Sequence, residues 1–292
     1  MQKILGVNIG SKGFSEEFLA ACKALDVTCE KVRSRNCCIL LWDGNVTLYH
    51  LGREIVLDDI AYAFMRVRGK FPLMTSLITH FLQSEGIAFN DVHNLDHTYR
   101  EEKISQMLTL TLAKLPIPET FLFTLDAFPE QEEFILSNIV FPCVLKVNGS
   151  RGNAVWKIED AKMLKERVAN IDIQNEVAML QKLIPNTYDI RALYFYGEYI
   201  GAIKRKSVNG FLNNVSHGGK AEQIELTEEE KELSVKACKA LGRDFAGVDI
   251  VRSENGPLFF EVNPGPSVYG FEGATGINVP LHLVRHIKET FF

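Results

Sequence analysis

The sequence predicts a mixed α/β protein, in which short apolar strands alternate with amphipathic helices. Two observations support this prediction. The chain has 292 residues, of which 46% are hydrophobic, and this is enough for two or three α/β units with a buried core. Apolar runs of strand length are separated by stretches with helical periodicity and by turn-forming pairs such as Asn255-Gly256. The sequence contains no internal repeats and no low-complexity tracts.

The first 90 residues have the pattern of an open α/β unit. Strands are predicted from continuous apolar runs, helices from apolar residues at spacings of three and four, and one hairpin from the turn Asp43-Gly44-Asn45. The predicted order is strand 3–10, helix 14–25, hairpin 37–50, strand 60–67, helix 71–85 and strand 86–90.

The middle of the chain repeats the alternation of helix and strand. The predicted order is helix 93–115, strand 119–123, helix 127–137, a hairpin spanning 141–158 and helix 160–170. Further strands are predicted at 189–195 and from Tyr199, before a helix at 227–241. Thr227 is its predicted N-cap, with Glu230 at capping-box spacing.

Three oxygen-bearing side chains occur close together near the C-terminus. Asp249 lies in a predicted strand at 245–252 and Glu261 in one at 257–262, and Asn263 follows directly. The hairpin turn between the strands would bring the three together. Charged residues within apolar strands are costly unless something binds them, and such oxygens suit Mg²⁺, which completes its shell with water and nucleotide phosphates. The pattern therefore indicates a Mg²⁺ and ATP site, although for each residue alone a solvated carboxylate or amide is the commoner case.

Glycine and proline residues follow Asn263 at short intervals. The segment 264–278 is therefore predicted to be a long loop that is neither helix nor central strand, and a final amphipathic helix is predicted to begin near Asn278 and Pro280.

A lysine followed by a glycine-rich turn lies within the predicted hairpin at 141–158. Lys146 closes the first strand and is followed by Gly149, Ser150 and Gly152. Glycines allow backbone N–H groups to approach phosphate oxygens, and the lysine supplies a positive charge. The spacing matches neither a Walker loop nor a dinucleotide-binding fingerprint. A phosphate-covering loop and an ordinary hairpin both remain open.

Charged residues are concentrated on the two strands after residue 188. Alternation places Asp189 and Arg191 on one face of their strand, and it places Lys204 and Lys206 opposite Arg205 on the next strand. These cations could line a phosphate pocket or form a solvated charge run.

The order of these motifs resembles the ATP-grasp superfamily, and within it the RimK-type carboxylate-amine (glutamate) ligases, over roughly residues 90 to 290. The segments that carry the resemblance are Asp189-Ile-Arg191, Asn214 with Gly218-Gly219, Gly247-Val-Asp249-Ile, Glu261-Val-Asn263-Pro and Gly270-Phe-Glu-Gly-Ala-Thr-Gly276. The resemblance implies three units, namely an N-terminal α/β domain at 1–92, a central ATP-grasp subdomain at 93–185 and a C-terminal subdomain with the metal site at 186–292. The two α+β subdomains would clamp ATP.

The resemblance also implies roles for individual residues. ATP would be bound by residues of the central subdomain, the hinge strand and the following segments: Lys103, Lys146, Gly149, Ser150, Gly152, Gln181, Lys182, Leu183, Asp189 and Asn213. Catalytic contacts to the γ-phosphate or acyl phosphate would come from Arg191, Lys206 and Asn214. Mg²⁺, or Mn²⁺ in its place, would be held by Asp249, Glu261 and Asn263.

This sequence departs from the family pattern at three positions. Lys182 stands where the family usually has an acidic residue, Lys206 where it often has an arginine, and Leu212 where an arginine precedes the asparagines. A lysine cannot reproduce the bidentate grip of a guanidinium group. Two functions therefore stay open: an ADP-forming ligase, and a nucleotide-binding regulatory protein that keeps the fold without ligation.

The composition argues against some classes of partner. A net charge of −5 argues against nucleic acid, and no apolar run approaches the roughly 20 residues of a membrane span. The N-terminus lacks a signal-peptide pattern, and the six cysteines have neither zinc nor disulfide spacing, so a cytoplasmic protein is expected.

The resemblance favours a ligase that joins an amino acid, with glutamate favoured, to a carboxylate. That carboxylate could belong to a protein C-terminus, a peptide or a metabolite. A homo-oligomer is compatible with the sequence.

Overall fold

The computed structural model describes residues 2–10, 12–66, 71–96, 103–147, 155–171, 176–206 and 220–292. The fold class is the predicted mixed α/β type, with four sheets and helices between their strands. Within these ranges no helix is both long enough and apolar enough to cross a membrane.

The N-terminal part forms a parallel sheet with an added antiparallel hairpin. Its elements are β1 (Lys3–Val7), α1 (Phe14–Ala24), β2 (Thr28–Val32), β3 (Cys37–Trp42), β4 (Asn45–His50), β5 (Arg53–Glu54), β6 (Ile60–Met65), α2 (Pro72–Ser84) and β7 (Ala88–Phe89). The parallel sheet has the order β2-β1-β6-β7, and β3-β4-β5 form a separate antiparallel sheet. The two inner strands of the parallel sheet, β1 and β6, are apolar because both of their faces are covered; β1, for example, is buried except at Lys3.

The central part forms an antiparallel sheet of four strands. Its elements are α3 (Lys103–Leu112), β8 (Thr120–Thr124), α4 (Phe128–Asn138), β9 (Cys143–Val147), β10 (Val155–Ile158), α5 (Ala161–Ala169) and β11 (Val177–Lys182). The strand order is β10-β9-β11-β8, so β9 with Lys146 and β11 with Gln181 are direct neighbours.

The C-terminal part forms an antiparallel sheet of five strands. Its elements are β12 (Asp189–Phe195), β13 (Glu198–Lys206), β14 (Lys220–Gln223), α6 (Glu228–Ala240), β15 (Phe245–Ser253), β16 (Gly256–Pro264), α7 (Tyr269–Thr275) and α8 (Val279–Phe291). The strand order is β14-β13-β12-β15-β16. The predicted capping box of α6 is confirmed, because Thr227 Oγ1 accepts from the Glu230 N–H and the Glu230 carboxylate accepts from the Thr227 N–H.

One apolar cluster joins the N-terminal and C-terminal parts. Phe18 and Phe64 pack in the same core as Phe195, Phe245 and Phe271, and all five side chains are buried. The ring centroids of Phe18 and Phe64 lie 4.4 Å apart. The division into domains at residues 92 and 185 stays a prediction, and this shared core ties the first of those units to the third.

Two predicted elements differ from the structure. The segment 264–278 contains helix α7, so the prediction of a loop without helix is wrong. Gly270 and Gly273 each cost the helix about 1 kcal/mol. Burial of the Phe271 ring, which is 1% exposed, outweighs that cost.

The predicted helix 93–115 is wrong at its N-terminal end. Val92–Leu95 form a 3₁₀ turn that ends at the extended residue Asp96, and α3 begins at Lys103. His93 is buried, and its N–H donates to the Gly242 carbonyl at 3.1 Å. This long-range contact, which no local pattern encodes, holds the turn.

Candidate active site

The β15–β16 hairpin brings the three predicted metal ligands together. Asp249 and Glu261 are direct cross-strand partners, and Asn263 pairs with Gly247 two positions along β15. In the amide orientation that satisfies its neighbours, Asn263 donates to Glu261 Oε1 at 2.9 Å and accepts from Arg191 Nη2 at 2.9 Å. A register shift between Asp249 and Ile250 puts Asp249 opposite Glu261, so the hairpin turn, this irregularity and strand alternation together place the three side chains on one face of the sheet.

Two arginines surround Asp249. Arg191 on β12 forms a bidentate pair with Asp249, with Nε–Oδ1 and Nη2–Oδ2 distances of 2.7 Å each. Arg205 on β13 pairs with Asp189 through Nε at 2.8 Å, and its Nη2 lies 3.1 Å from Asp249 Oδ1. Burial alone would raise the pKa of Asp249, but the positive charges of Arg191 and Arg205 hold that pKa below its usual value. Asp249 is therefore ionised in a buried setting.

The pKa of Asp189 shifts in the opposite direction to that of Asp249, because Asp189 has less positive charge near it. Burial raises the pKa of Asp189, and the pairing with Arg205 offsets this only in part. The pKa of Arg205 is raised above its usual value, because Asp249 and Asp189 together outweigh the lowering that burial causes. The guanidinium group of Arg205 thus bridges two carboxylates.

Two lysines complete the charged side of the site. Lys103, at the start of α3, places Nζ 3.2 Å from Glu261 Oε2. Lys146 on β9 donates to Gln181 Oε1 at 2.8 Å, and its Nζ lies 5.9 Å from the centre of the Phe260 ring. Burial, with a smaller contribution from the charge of Lys103, lowers the pKa of Lys146 to about 8. Keeping Lys146 protonated therefore costs more free energy than keeping an exposed lysine protonated.

Most of these groups line a cleft of about 200 Å³ between the central and C-terminal sheets. Charged and apolar side chains both line the cleft, which suits a flat ring joined to phosphates. The lining residues are Lys103, Lys146, Val155, Met179, Asn186, Asp189, Arg205, Asp249, Ile250, Val251, Phe260 and Glu261.

The remaining predicted site residues lie elsewhere or outside the described ranges. Gln181 is buried and positions Lys146, and the N–H of Leu183, just beyond β11, lies 3.4 Å from the Pro142 carbonyl oxygen. Lys182 is exposed and lines a different pocket with Glu119 and Thr120. Lys206 is exposed at the end of β13. The predictions for Gly149, Ser150, Gly152, Asn213 and Asn214 fall on residues that the structure does not describe.

Arg205 is a charged site residue that the sequence analysis did not select. It is 4% exposed, and it is the cross-strand partner of Asp189. Strand alternation places Arg205 on the face opposite to Lys204 and Lys206. The sequence pattern therefore contained the information needed to select Arg205. The sequence resemblance instead drew attention to Lys206, where the family often has an arginine.

The donors present are compatible with Mg²⁺. No cluster of three or more His, Cys, Asp or Glu side chains suited to a metal occurs among the described residues. The converging set is instead two carboxylates and one amide. Mg²⁺ commonly binds through one or two carboxylates while it keeps waters and nucleotide phosphates, and this set matches that preference.

Comparison with solved structures identifies the fold. The chain superposes on the ATP-grasp ligase PsnB, solved with precursor peptide PsnA2 and AMPPNP, with a TM-score of 0.76 at 18% identity over 100% of this chain and 98% of that one. A RiPP-associated ATP-grasp ligase of Chryseobacterium gregarium, solved with ADP and a leader and core peptide, gives a TM-score of 0.72 at 15% identity over 99% of this chain and 97% of that one. The protein therefore has the ATP-grasp fold.

The family follows from the sequence itself. Residues 101–287 match the model of the RimK-like ATP-grasp domain, so this chain belongs to the RimK-like ATP-grasp family. It is 33% identical over 196 residues, 65% of the chain, to a probable alpha-L-glutamate ligase of Marinomonas sp. (strain MWYL1). It is 28% identical over 265 residues, 89% of the chain, to one of Parasynechococcus marenigrum (strain WH8102). The matches span only 64% and 56% of the lengths of these two relatives.

Proposed function

We propose that this protein is an ATP-dependent ligase that joins a carboxylate to an amine, with release of ADP and phosphate. The observation that carries the proposal is the convergence of Arg191, Arg205 and Lys103 on the carboxylates of Asp249 and Glu261, beside a cleft that charged and apolar side chains line together. Such a cluster of fixed charges suits phosphoryl transfer, where positioning and charge neutralisation supply most of the catalysis.

We assign each residue a role from its position in the site. Lys103 and Lys146 would neutralise nucleotide phosphates, while Val155, Met179 and Phe260 would pack against the adenine. Asp249, Glu261 and Asn263 would hold Mg²⁺, or Mn²⁺ in its place. When bound, the metal would neutralise charge on the transferring phosphoryl group. Arg191 lies beside this group of ligands, so it would stabilise the acyl phosphate that forms when the substrate carboxylate attacks the γ-phosphorus.

The names of the relatives and of the matched structures support the proposed substrates. The curated relatives are named as probable alpha-L-glutamate ligases, which supports glutamate as the amine. Two of the matched structures contain precursor or leader peptides, which supports a peptide as one source of the carboxylate, beside a protein C-terminus or a metabolite. A cytoplasmic location stays a prediction.

The direct test is a screen for ADP release. Purified protein would be incubated with ATP, Mg²⁺, single amino acids and a panel of acidic peptides and metabolites. We expect ADP release only when a carboxylate and an amine are both present, with glutamate the best amine. A protein that binds ATP and ligates nothing in this screen would instead be the regulatory nucleotide binder.

Arg191→Met separates the two functions. Arg191 would act mainly on charge that develops during the reaction, so the variant should lower kcat by roughly 100- to 1,000-fold. Affinity for ATP, measured by calorimetry, should change much less. Arg252→Met is the matched control, because Arg252 also makes a bidentate pair with a carboxylate, but with that of Glu230 instead of Asp249. Equal losses of kcat and ATP affinity in Arg191→Met would make Arg191 a binding residue only.

A further inference from the structure

Gln181 on β11 is a polar side chain that is 1% exposed. Its direct cross-strand partner is Thr120 on β8, and Lys146 on β9 pairs with Met179, two positions before Gln181. Because side chains alternate along a strand and cross-strand partners share a face, these four residues lie on the same face of the central sheet. The register therefore places an amide between a hydroxyl group and an ammonium group.

Hydrogen bonds connect these groups in series. Lys146 Nζ donates to Gln181 Oε1 at 2.8 Å, and Gln181 Nε2 donates to Thr120 Oγ1 at 3.0 Å. Thr120 Oγ1 in turn donates to the Pro118 carbonyl at 2.7 Å. Gln181 Nε2 also lies 3.6 Å from Met107 Sδ, a weak acceptor on α3. We call Thr120, Gln181 and Lys146 the relay.

The direction of the relay is fixed from both ends. A carbonyl only accepts, so the Thr120 hydroxyl donates its proton to Pro118 and offers a lone pair to Gln181. An ammonium group only donates, so Lys146 requires the amide oxygen. The Gln181 amide therefore has one orientation. Both of its N–H groups face protein acceptors, Thr120 and Met107, which leaves none for a nucleotide.

The relay holds only part of the Lys146 ammonium group. An ammonium group has three donors, and within the described ranges Gln181 is the one hydrogen-bond acceptor of Lys146. Lys146 also lines the cleft, so its other donors are available to oxygens bound there. Because the acceptor is a neutral amide, it orients the ammonium group without neutralising the charge.

The charges that face Lys146 have mixed signs. Burial, followed by the positive charge of Lys103 on α3, lowers the pKa of Lys146 to about 8, and Glu261 on β16 offsets this only in part. Phosphate oxygens beside Lys146 would favour its charged form and raise this pKa. Further charged groups on the wall of the same cleft are Asp189 on β12, Arg205 on β13 and Asp249 on β15.

We propose that Gln181 is a positioning residue, which together with Thr120 directs the Lys146 ammonium group towards nucleotide phosphates and does not itself contact the nucleotide. This inference rests on the ATP-dependent function proposed above, and it revises the ATP-binding role that the family resemblance implies for Gln181. One consequence concerns protons. Above about pH 8 the free protein must take up a proton at Lys146 to bind a nucleotide, so affinity falls by up to roughly tenfold per pH unit.

The first test follows Lys146 directly, by NMR titration of the protein with ¹³C-labelled lysine and without nucleotide. We expect a wild-type midpoint near pH 8. Gln181→Glu should raise the midpoint by about one pH unit or more, because a carboxylate favours the charged lysine. Gln181→Met should lower it by about one pH unit, because the ammonium group loses its acceptor. Equal midpoints in the three proteins would overturn the proposal.

Two controls separate the relay from general loosening of the core. Gln106→Met also removes a buried amide, since Gln106 is 2% exposed and its Oε1 accepts from the Val262 N–H at 3.1 Å. It should lower stability and leave the Lys146 midpoint unchanged. Thr120→Ser keeps the hydroxyl group and should keep the wild-type midpoint, whereas Thr120→Val should lower the midpoint. Thermal melting would check that each variant is folded. A midpoint that moves equally in Gln106→Met and Gln181→Met would contradict the relay.

The second test measures proton uptake when ADP binds with Mg²⁺, by calorimetry at pH 8.5 in two buffers of different ionisation enthalpy. We expect the wild type to take up about 0.7 proton, Gln181→Glu less than about 0.3, and Gln181→Met nearly one. A protein that binds no nucleotide would overturn the proposed function and this role of Gln181 together. Nucleotide binding with equal proton uptake in all three proteins would overturn the role of Gln181 alone.

Discussion

Asp249 accepts hydrogen bonds from Arg191 and also lies within ion-pair distance of Arg205, and this pairing would set the conditions for the proposed metal binding. The guanidinium groups supply the positive charge that a buried carboxylate requires. A metal ion that binds Asp249 must therefore compete with them. In the proposed enzyme Asp249 would hold Mg²⁺, and Arg191 beside it would supply positive charge to the reacting phosphoryl group.

Glu261→Gln tests the metal assignment. The substitution keeps the size of the side chain but removes one negative charge and the ion pair with Lys103. We expect turnover to fall roughly 100- to 1,000-fold and the Mg²⁺ dependence of nucleotide affinity to weaken, with thermal stability preserved. Glu159→Gln is the control, because Glu159 pairs with Lys157 on the surface at 2.7 Å. Turnover near the wild-type rate in Glu261→Gln would show that the metal site is elsewhere.

At the scale of single elements, the turn after β16 connects the proposed metal ligands to the N-terminal sheet. Arg66, just after β6, donates from Nη2 to the Pro266 carbonyl at 3.1 Å, and its guanidinium carbon lies 4.1 Å from the centre of the Phe14 ring. Gly265 adopts a left-handed backbone with φ of 50°. A Cβ at Gly265 would overlap the backbone oxygen of Arg66, so this turn requires glycine for both backbone conformation and space.

Gly265→Ala should lower the free energy of unfolding by roughly 2–4 kcal/mol, because strain and overlap add together. Gly276→Ala separates the two causes. Gly276 has φ of 71° but open space around its Cβ position, so only the backbone cost of about 1–2 kcal/mol is expected. Urea denaturation of both variants measures the difference. Equal losses would mean that the overlap with Arg66 relaxes at little cost.

At the scale of the whole molecule, two aspartates connect the N-terminal and C-terminal parts. Asp91 accepts from the N–H groups of Asp244 at 2.7 Å and Phe245 at 2.9 Å, and Asp244 accepts from the Asp91 N–H at 2.6 Å. Burial, and then the charge of Asp244, raises the pKa of Asp91 to about 7. This reciprocal contact links the segment after β7 to the start of β15.

The raised pKa of Asp91 predicts a pH-dependent stability. The folded protein binds the proton of Asp91 more tightly than the unfolded chain, whose aspartates titrate near pH 3.9. The resulting stability is fully present below about pH 4 and is lost as the pH rises through about 7. We expect the free energy of unfolding to fall by roughly 2–4 kcal/mol across this interval.

Asp91→Asn should remove this part of the pH dependence, because Asn has no such proton and tolerates the left-handed backbone of Asp91. Urea denaturation at a series of pH values measures it. Asp43→Asn is the control, since Asp43 has a similar backbone but is exposed. An unchanged pH profile in Asp91→Asn would assign the effect to other groups.

The sequence by itself determined the local features of this protein. Turn chemistry at Asn255-Gly256 predicted the hairpin that brings Asp249 and Glu261 together, because it depends only on the local backbone, whereas their direct pairing also requires the register shift between Asp249 and Ile250. The same reasoning placed Asp189 and Arg191 on one face of β12 and identified the cap of α6. The order of motifs was sufficient to indicate the family.

Only the tertiary structure decided which residues meet across elements. Periodicity gives the face of a strand but not its partner, so the pairing of Arg205 with Asp189 depends on the register between β12 and β13, which shifts at Leu193 and Tyr194. Helix α7 forms against the local preference of its glycines because Phe271 is buried by distant residues. The Asp91–Asp244 contact joins positions that are 153 residues apart. Such contacts depend on how the sheets pack together, and no local pattern in the sequence records that packing.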